Sequence, residues 1–472
     1  MVGAAAGPTT NRRAAPRAVM WFRRDLRLAD NPALLAAIEA AGHDGQVVAL
    51  FCLDDHLWAP AGDNRRAFLL DALRVLDASM GGRLVLRRGD PLAVIPAVAA
   101  EAGAQAVFAA ADFGPYGAHR DAAVAAALDA SGRALLTVGS PYAVPPGTVR
   151  TKTGTPYKVF TPFARAWLAE GSPAPEAPPA QVRWADLSSD PLPTPPTPTA
   201  TLPPAGEEVA AAAATRFLGA RARGYDADRD RPGMEGTSRL SPYLKWGCVH
   251  PRQLLAELGD STGEDAFRRE LCWREFYADV LHHRPESARQ ALVPAMGAMA
   301  VDPPAPDDGF DAWCAGRTGY PIVDAGMRQL LAEGWMHNRV RMLTASFLVK
   351  DLHLDWRRGA RWFMAHLVDG DLASNQHGWQ WVAGTGTDAS PYFRIFNPVT
   401  QGQRVDPTGT YVRRWVPELA TVPDRFVHRP WDDPAGPPVG YPAPIVDHAE
   451  ERAEALRRLG AVTDLPGRAG TR

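Results

Sequence analysis

What the chain lacks narrows it first. It has four cysteines in 472 residues, Cys52, Cys248, Cys272 and Cys314, with no Cys-x-x-Cys pair and no Cys/His cluster. That argues against a disulfide framework and a zinc site, and leaves them as reduced core residues. No uninterrupted apolar run approaches a membrane span. The Ala-rich opening, residues 1–16, contains Arg12 and Arg13 but lacks the apolar segment of a signal peptide. It is expected to be a disordered tail on a cytoplasmic protein. Charge of neither sign dominates, since 51 Lys and Arg stand against 53 Asp and Glu for a net −2. A uniformly basic nucleic-acid binder is thereby excluded, and any phosphate contact must come from a local patch. There is no Gly-x-Gly-x-x-Gly after a first strand and no Walker loop, so the usual dinucleotide and triphosphate readings fail.

A chain of 472 residues exceeds what one hydrophobic core serves, and two or more domains are expected. Nearly continuous apolar runs at 18–22 and 46–51 suit strands buried on both faces, with further strands at 84–86, 106–108 and 135–138. Asn31 followed by Pro32 reads as an N-cap and first helical position, and 65–80 is amphipathic. This alternation predicts an α/β doubly wound parallel-sheet domain over 17–140, with a ligand crevice at its strand ends. Residues 172–204 are dense in Pro, Ser and Thr, which places an interdomain linker at 141–206. From 207 to 472 helical periodicity takes over, notably at 264–283, 319–331, 336–348 and 358–367, and predicts an all-α domain.

Tryptophan is where the sequence is rich. Ten of its 14 follow Leu240, and Trp335, Trp356, Trp362, Trp379 and Trp381 crowd around His337, Asn338, Arg339, Asp369, Asp371 and Asn375. An indole wants an apolar wall and a hydrogen-bond acceptor, so this density beside charges points to a site for a large planar ligand. For any single Trp, ordinary core packing is the plainer reading. The run Gly-Thr-Ser-Arg-Leu-Ser-Pro-Tyr-Leu at 236–244 sets hydroxyls, an Arg and backbone amides ahead of a helix begun by Ser241 and Pro242, which suits phosphate. Ser241 alone is explained as an N-cap worth about 1 kcal/mol, but Thr237, Ser238 and Arg239 are not. Glu270, Trp273 and Arg274 fall at i, i+3 and i+4 on one helix face, so an acid, a flat ring and a cation point at one place unless they form only a surface ion pair beside a packed Trp. Asp369, Gly370 and Asp371 have no third hard ligand at a calcium-loop spacing, and hydrogen bonding to a heterocycle fits better than a metal.

Six motifs carry a resemblance: Trp-Phe-Arg-Arg-Asp-Leu-Arg-Leu-Ala-Asp-Asn-Pro at 21–32, Glu-Gly-Thr-Ser-Arg-Leu-Ser-Pro at 235–242, Trp-Arg-Glu-Phe-Tyr at 273–277, Gly-Arg-Thr-Gly-Tyr-Pro-Ile-Val-Asp-Ala-Gly-Met-Arg-Gln-Leu at 316–330, Trp-Met-His-Asn-Arg-Val-Arg-Met at 335–342, and Asp-Gly-Asp-Leu-Ala-Ser-Asn at 369–375. Over residues 19–417 the chain resembles the photolyase/cryptochrome family, most of all the bacterial class I cyclobutane pyrimidine dimer photolyases. The resemblance implies a carbon–carbon lyase that repairs UV-damaged DNA, passing an electron from photoexcited reduced FAD to a flipped-out dimer. It implies a monomer with no obligate protein partner and no membrane. It assigns FAD binding to Tyr225, Thr237, Ser238, Arg239, Leu240, Ser241, Arg274, Trp335, Asn338, Arg341, Asp369, Asp371 and Asn375. Arg341 and Asp369 would form a buried pair beside the flavin. Asn375 would face flavin N5, where plant-type cryptochromes carry Asp.

The lesion would be met by Glu270, Trp273, Asn338, Arg339, Met342 and Trp381. Trp273 and Trp381 are expected to be flat walls for an extruded base pair, a strategy general to enzymes that reach a stacked base and for which photolyases are themselves a standard example. Glu270, kept protonated by apolar surroundings, is expected to donate to a thymine carbonyl. Met342 stands where the (6-4) and animal cryptochrome branch usually carries His. Arg229, Arg339 and Arg394 are the expected phosphate patch. Trp379 and Trp356 match the first two members of the family's tryptophan relay, but 300–305, aligned with the outermost, holds no aromatic. Light-driven flavin reduction is therefore expected to be slower or to use another surface aromatic. In the first domain, Asp112 with Pro-Tyr-Gly at 115–117 resembles the 8-hydroxy-5-deazaflavin type of antenna site more than the methenyltetrahydrofolate type, although Asp112 alone is also explained as a helix cap. A blue-light receptor with a signalling tail and a non-catalytic helical DNA-binding protein are the competing functions.

Overall fold

The apolar runs become strands because both of their faces are covered. In the computed structural model, which describes residues 16–306, 309–387 and 394–463, β1 (Arg17–Phe22), β2 (Gln46–Leu53), β3 (Leu84–Arg88), β4 (Ala106–Ala109) and β5 (Ala134–Thr137) form one parallel sheet in the order β3-β2-β1-β4-β5. Residues 1–15 of the expected tail lie outside the described residues. Along β1, Met20 and Phe22 enter one core and Val19 and Trp21 enter another, as a period of two requires. Helix α1 (Pro32–Ala41) begins as expected, with the Asn31 side chain accepting from Leu34 N at 3.2 Å. Strand order reverses between β1 and β4, and a doubly wound sheet opens its crevice outside the carboxyl ends at that point. Arg23 and Arg24 leave β1 there, and Asp112 follows β4.

Helix α2 (Asp63–Ser79) joins this sheet domain to the helical half. Asn64 donates to His366 O at 2.7 Å, Glu207 accepts from the Leu28 and Ala29 amides at 2.7 and 2.9 Å, and Arg27 donates to Gly247 O at 3.1 Å. The stretch assigned to the linker is not featureless. Its helix α3 (Phe160–Glu170) buries Phe160, Phe163 and Trp167 in a core shared with Cys272, Phe276 and Val280. Residues 172–204 are largely irregular and still cover the sheet, since Ala185 N donates to Val47 O at 2.8 Å and Val47 N to Arg183 O at 2.9 Å.

The helical half supplies α4 (Ser241–Trp246), α5 (Thr262–His283), α6 (Pro321–Glu333), α7 (Asn338–Lys350), α8 (Trp356–His366) and α9 (Leu372–Ala383). The last three pack together around Trp379, Phe363 and Leu348. Gly359 allows that approach, because a Cβ on it would stand 2.1 Å from the Trp379 ring. Among the described residues no helix is long and apolar enough to cross a membrane.

Candidate functional site

Helix α9 carries the chemistry, and its first turn fixes where that chemistry points. Asp371 caps it, accepting from Ser374 N at 3.1 Å, and the same carboxylate takes Arg24 Nη2 at 2.7 Å from the sheet domain. Burial alone would raise this carboxyl, but Arg24, Lys245 and Arg274 outweigh it and hold it well below the usual carboxylate range. One turn on, Asn375 is 8% exposed and donates from Nδ2 to Ala360 O at 3.1 Å and to Gln376 Oε1 at 2.9 Å. Two acceptors fix the amide's NH₂ end, so the end left for a ligand is an oxygen that only accepts.

Just ahead of the helix, Asp369 has 3% of its side chain exposed and receives Arg341 Nη2 at 2.8 Å on Oδ2. Its Oδ1 is buried without a partner. An acceptor stranded this way costs about 1–3 kcal/mol, so the site calls for a donor from a bound molecule. Hydroxyls lie within the same chain of contacts. Trp335 Nε1 donates to Ser241 Oγ at 3.2 Å, Leu240 N donates to Ser238 Oγ at 3.4 Å, and Arg239, at φ 51°, sits 4.3 Å from the Trp335 ring centre and pairs with Glu333 at 3.1 Å. Ser241 is therefore not the N-cap. Leu240 holds that position without a side-chain bond, and the Ser241 hydroxyl is turned to Trp335 instead. Thr237 is half-buried in this loop and Tyr225 is buried nearby. A stranded carboxylate oxygen, an acceptor-only amide and three hydroxyls on one loop fit the ring edge, ribityl chain and phosphates of FAD.

Arg274 departs from expectation. It does not join Glu270 and Trp273, because its guanidinium is drawn to the carbonyls of Pro141 at 3.0 Å and Leu244 at 3.2 Å and stacks on Tyr142. The expected phosphate patch is also partly neutralised. Arg229 pairs with Glu270 at 2.8 Å, and Arg339 grips Asp230 with two bonds of 2.6 and 3.1 Å. Glu270 therefore has an ion-pair partner that was not expected, yet burial outweighs the pull of Arg229 and leaves its carboxyl above the usual range, in the direction expected of an acid kept protonated. Trp273 is half-buried, with Phe160 stacked on it at 3.5 Å. Trp381 lies under Arg394 at 4.9 Å, Met342 packs on the core beside it, and Asn338 is exposed at the start of α7. His337 caps α7 through a neutral ring nitrogen, which burial secures by lowering its pKa to about 4.

At the sheet's switch point, both oxygens of Asp112 are engaged, one with Gly114 N at 3.0 Å and one with Arg120 at 3.2 Å. Burial would raise it, and Arg23, Arg120 and Arg24 hold it low. Sequence reading missed Arg24 and Lys245, which connect this end of the sheet to Asp371. Arg24 stood in the first motif at the end of a strand, and that position was the available signal. Burial lowers Lys245 to about 7. The unfolded chain, with a lysine near about 10.4, then holds more protons between those values, so stability rises with pH across the interval. In the ligand-free protein Lys245→Met is expected to add up to about 4 kcal/mol near neutral pH, a gain that shrinks toward zero as pH approaches the unfolded value. Denaturant melts across pH check this, and a gain independent of pH contradicts it.

The relay residues also differ in detail. The ring neighbours of Trp379 among the described residues are Phe363 at 5.0 Å and Trp313 at 6.1 Å, and Trp356 is not one of them. From Trp313, rings continue through Phe310 at 5.8 Å to Trp362 at 6.3 Å. Two surface hollows, one lined by Phe310, Arg358 and Trp362 and one by Asp302, Asp351 and Glu451, lie away from Asp369 and Asn375.

Comparison with known proteins agrees with this construction. The profile described as FAD binding domain of DNA photolyase matches residues 267–461, and that described as DNA photolyase matches 18–181. A deoxyribodipyrimidine photo-lyase of Streptomyces griseus is 44% identical, with 94% of this chain and 99% of the relative covered. Among solved structures, a bacterial class III photolyase from Agrobacterium tumefaciens superposes with a TM-score of 0.89 at 39% identity, covering 96% of this chain and 100% of that one. An archaeal photolyase from Sulfolobus tokodaii, holding two FAD molecules, gives 0.81 at 28% identity over 94% and 100%. With relatives this similar along nearly its whole length, the chain belongs to the DNA photolyase family.

Proposed function

We propose that the chain is a deoxyribodipyrimidine photo-lyase that splits cyclobutane pyrimidine dimers in UV-damaged DNA, acting as a cytoplasmic monomer. The observation that carries this reading is the buried Asp369 oxygen left without a donor, ahead of a helix whose Asn375 offers only an acceptor. Such a pair of acceptors suits the N–H-bearing edge of a reduced isoalloxazine. When bound, reduced FAD supplies the light-driven electron to the dimer and takes it back after the ring opens.

The chain's residues bind and orient. Thr237, Ser238 and Ser241 would hold the phosphates and ribityl hydroxyls, Arg341 pairs with Asp369 and fixes its place, and Asn375 would offer its oxygen to a ring N–H. Trp273 and Trp381 flank the extruded bases, and Glu270 meets the thymine edge. Because Arg229 holds Glu270 in an ion pair, entry of the dimer must exchange that arginine for the base and release it toward a phosphate. Trp379 would be the residue that hands an electron to the cofactor in its oxidised form, with Trp313 or Trp356 as the donor behind it. Asp112, Lys245 and Arg24 mark the antenna crevice, for which we favour an 8-hydroxy-5-deazaflavin over methenyltetrahydrofolate; the absorption spectrum of the released pigment distinguishes the two.

The test is repair of a dimer-containing oligonucleotide by chemically reduced holoenzyme under blue light. Glu270→Ala is expected to lower the repair rate by about 10–100-fold, the scale of losing one preorganised hydrogen bond to developing charge. Asn375→Asp is expected to lower it by about tenfold and to destabilise the reduced cofactor, since a carboxylate adds negative charge beside it. Full repair by both variants contradicts these assignments.

A further inference from the structure

Phe160 begins α3, in a stretch that looked like linker, yet its ring lies flat on Trp273 with centroids 3.5 Å apart and 6° between planes. Phe160 is 5% exposed and backed by Phe276 at 5.8 Å in an edge-on contact. Arg269, one turn before Trp273 on α5, sets its guanidinium 5.5 Å from the same ring. Phe160 thus covers one face of the indole, Phe276 and Tyr277 stand 5.8 and 5.3 Å from the same ring, and Trp273 still keeps part of its surface open to solvent. The stack cannot drift easily. Trp167 on the same helix donates to Glu275 Oε2 at 2.6 Å, and Glu275, 1% exposed, also accepts the Val144 amide at 3.0 Å. That buried carboxylate clamps the segment to α5.

We infer that Phe160 is a positioning residue, setting the tilt at which Trp273 offers its open surface to the dimer. This rests on the reading of Trp273 as a lesion wall. A planar neighbour fixes an indole's orientation in a way that an aliphatic chain of similar bulk does not, because offset-stacked rings have a preferred geometry. The effect of the tilt is on discrimination, because intact duplex DNA presents no extruded base to Trp273 and its binding does not depend on the orientation of that ring.

The experiment measures dissociation constants of flavin-loaded Phe160→Leu, Phe160→Tyr and Trp273→Ala for dimer-containing and undamaged oligonucleotides of one sequence, with repair rates at saturating DNA. Phe160→Leu is expected to weaken binding of damaged DNA by about tenfold, the scale of a lost aromatic pair, with undamaged binding and the saturated rate changed less than twofold. Phe160→Tyr, which keeps the ring, is expected to retain discrimination. Should leucine prevent folding, Phe160→Met refills the space with a flexible chain and is expected to show the same loss. If Trp273→Ala loses discrimination while the leucine and methionine variants keep it, or if they weaken both DNAs equally, the inference is overturned. If Trp273→Ala itself keeps discrimination, the lesion-wall reading fails instead.

Discussion

Asp369→Asn is expected to leave the protein nearly free of flavin. The substitution keeps the shape but removes the charge that Arg341 was placed to meet, and it turns one oxygen into an NH₂ donor where a donor from the ligand is required. Breaking a buried pair by changing one partner costs about 3–5 kcal/mol, equivalent to a loss of about 10²–10⁴-fold in cofactor affinity. Some of that loss will appear as lower apoprotein stability, because Arg341 keeps the remaining amide oxygen and the Met336 carbonyl as acceptors but loses its counter-charge. The purified variant should be close to colourless, and titration with FAD should show weakened binding. A yellow protein with unchanged affinity contradicts the assignment.

The second large effect is expected at Trp379. Trp379→Phe should slow light-driven reduction of the oxidised cofactor by at least about tenfold, while dimer splitting by chemically reduced enzyme is nearly unaffected, since repair returns its electron to the donor. Trp379 is buried and its ring contacts Phe363 and Trp313. Transient absorption on Trp313→Phe and Trp356→Phe then separates the two supply routes. The absence of an aromatic at 300–305 predicts that no long-lived radical forms in that region. A normal long-lived terminal radical with both Trp313 and Trp356 replaced contradicts the relay as described.

Much of the fold was legible because the signals were local. Buried parallel strands write themselves as continuous apolar runs, and Asn31 with Pro32 announced the start of α1. The Asp369 and Arg341 pair and the place of Asn375 on α9 followed from motif resemblance and stand at contact distances in the structure. What sequence missed is what depends on a distant partner. Nothing around Arg229 or Arg339 reveals that Glu270 and Asp230 would claim them, since residue types give charge but not who meets it. Arg274 was placed by helical spacing beside Glu270, yet the carbonyls of Pro141 and Leu244, both distant in sequence, drew it away. Proline density was a fair guide to 172–204 but was extended too far upstream, across Phe160, Phe163 and Trp167, whose burial depends on α5.

The account as a whole is tested by a single measurement: the yield of intact thymines from dimer-containing DNA mixed with the reduced, FAD-loaded protein, in blue light and in darkness. Restoration of the bases under illumination, with none in the dark and none from the Asp369→Asn protein, is the predicted result. A protein that binds FAD and damaged DNA but leaves the dimers intact under light contradicts it.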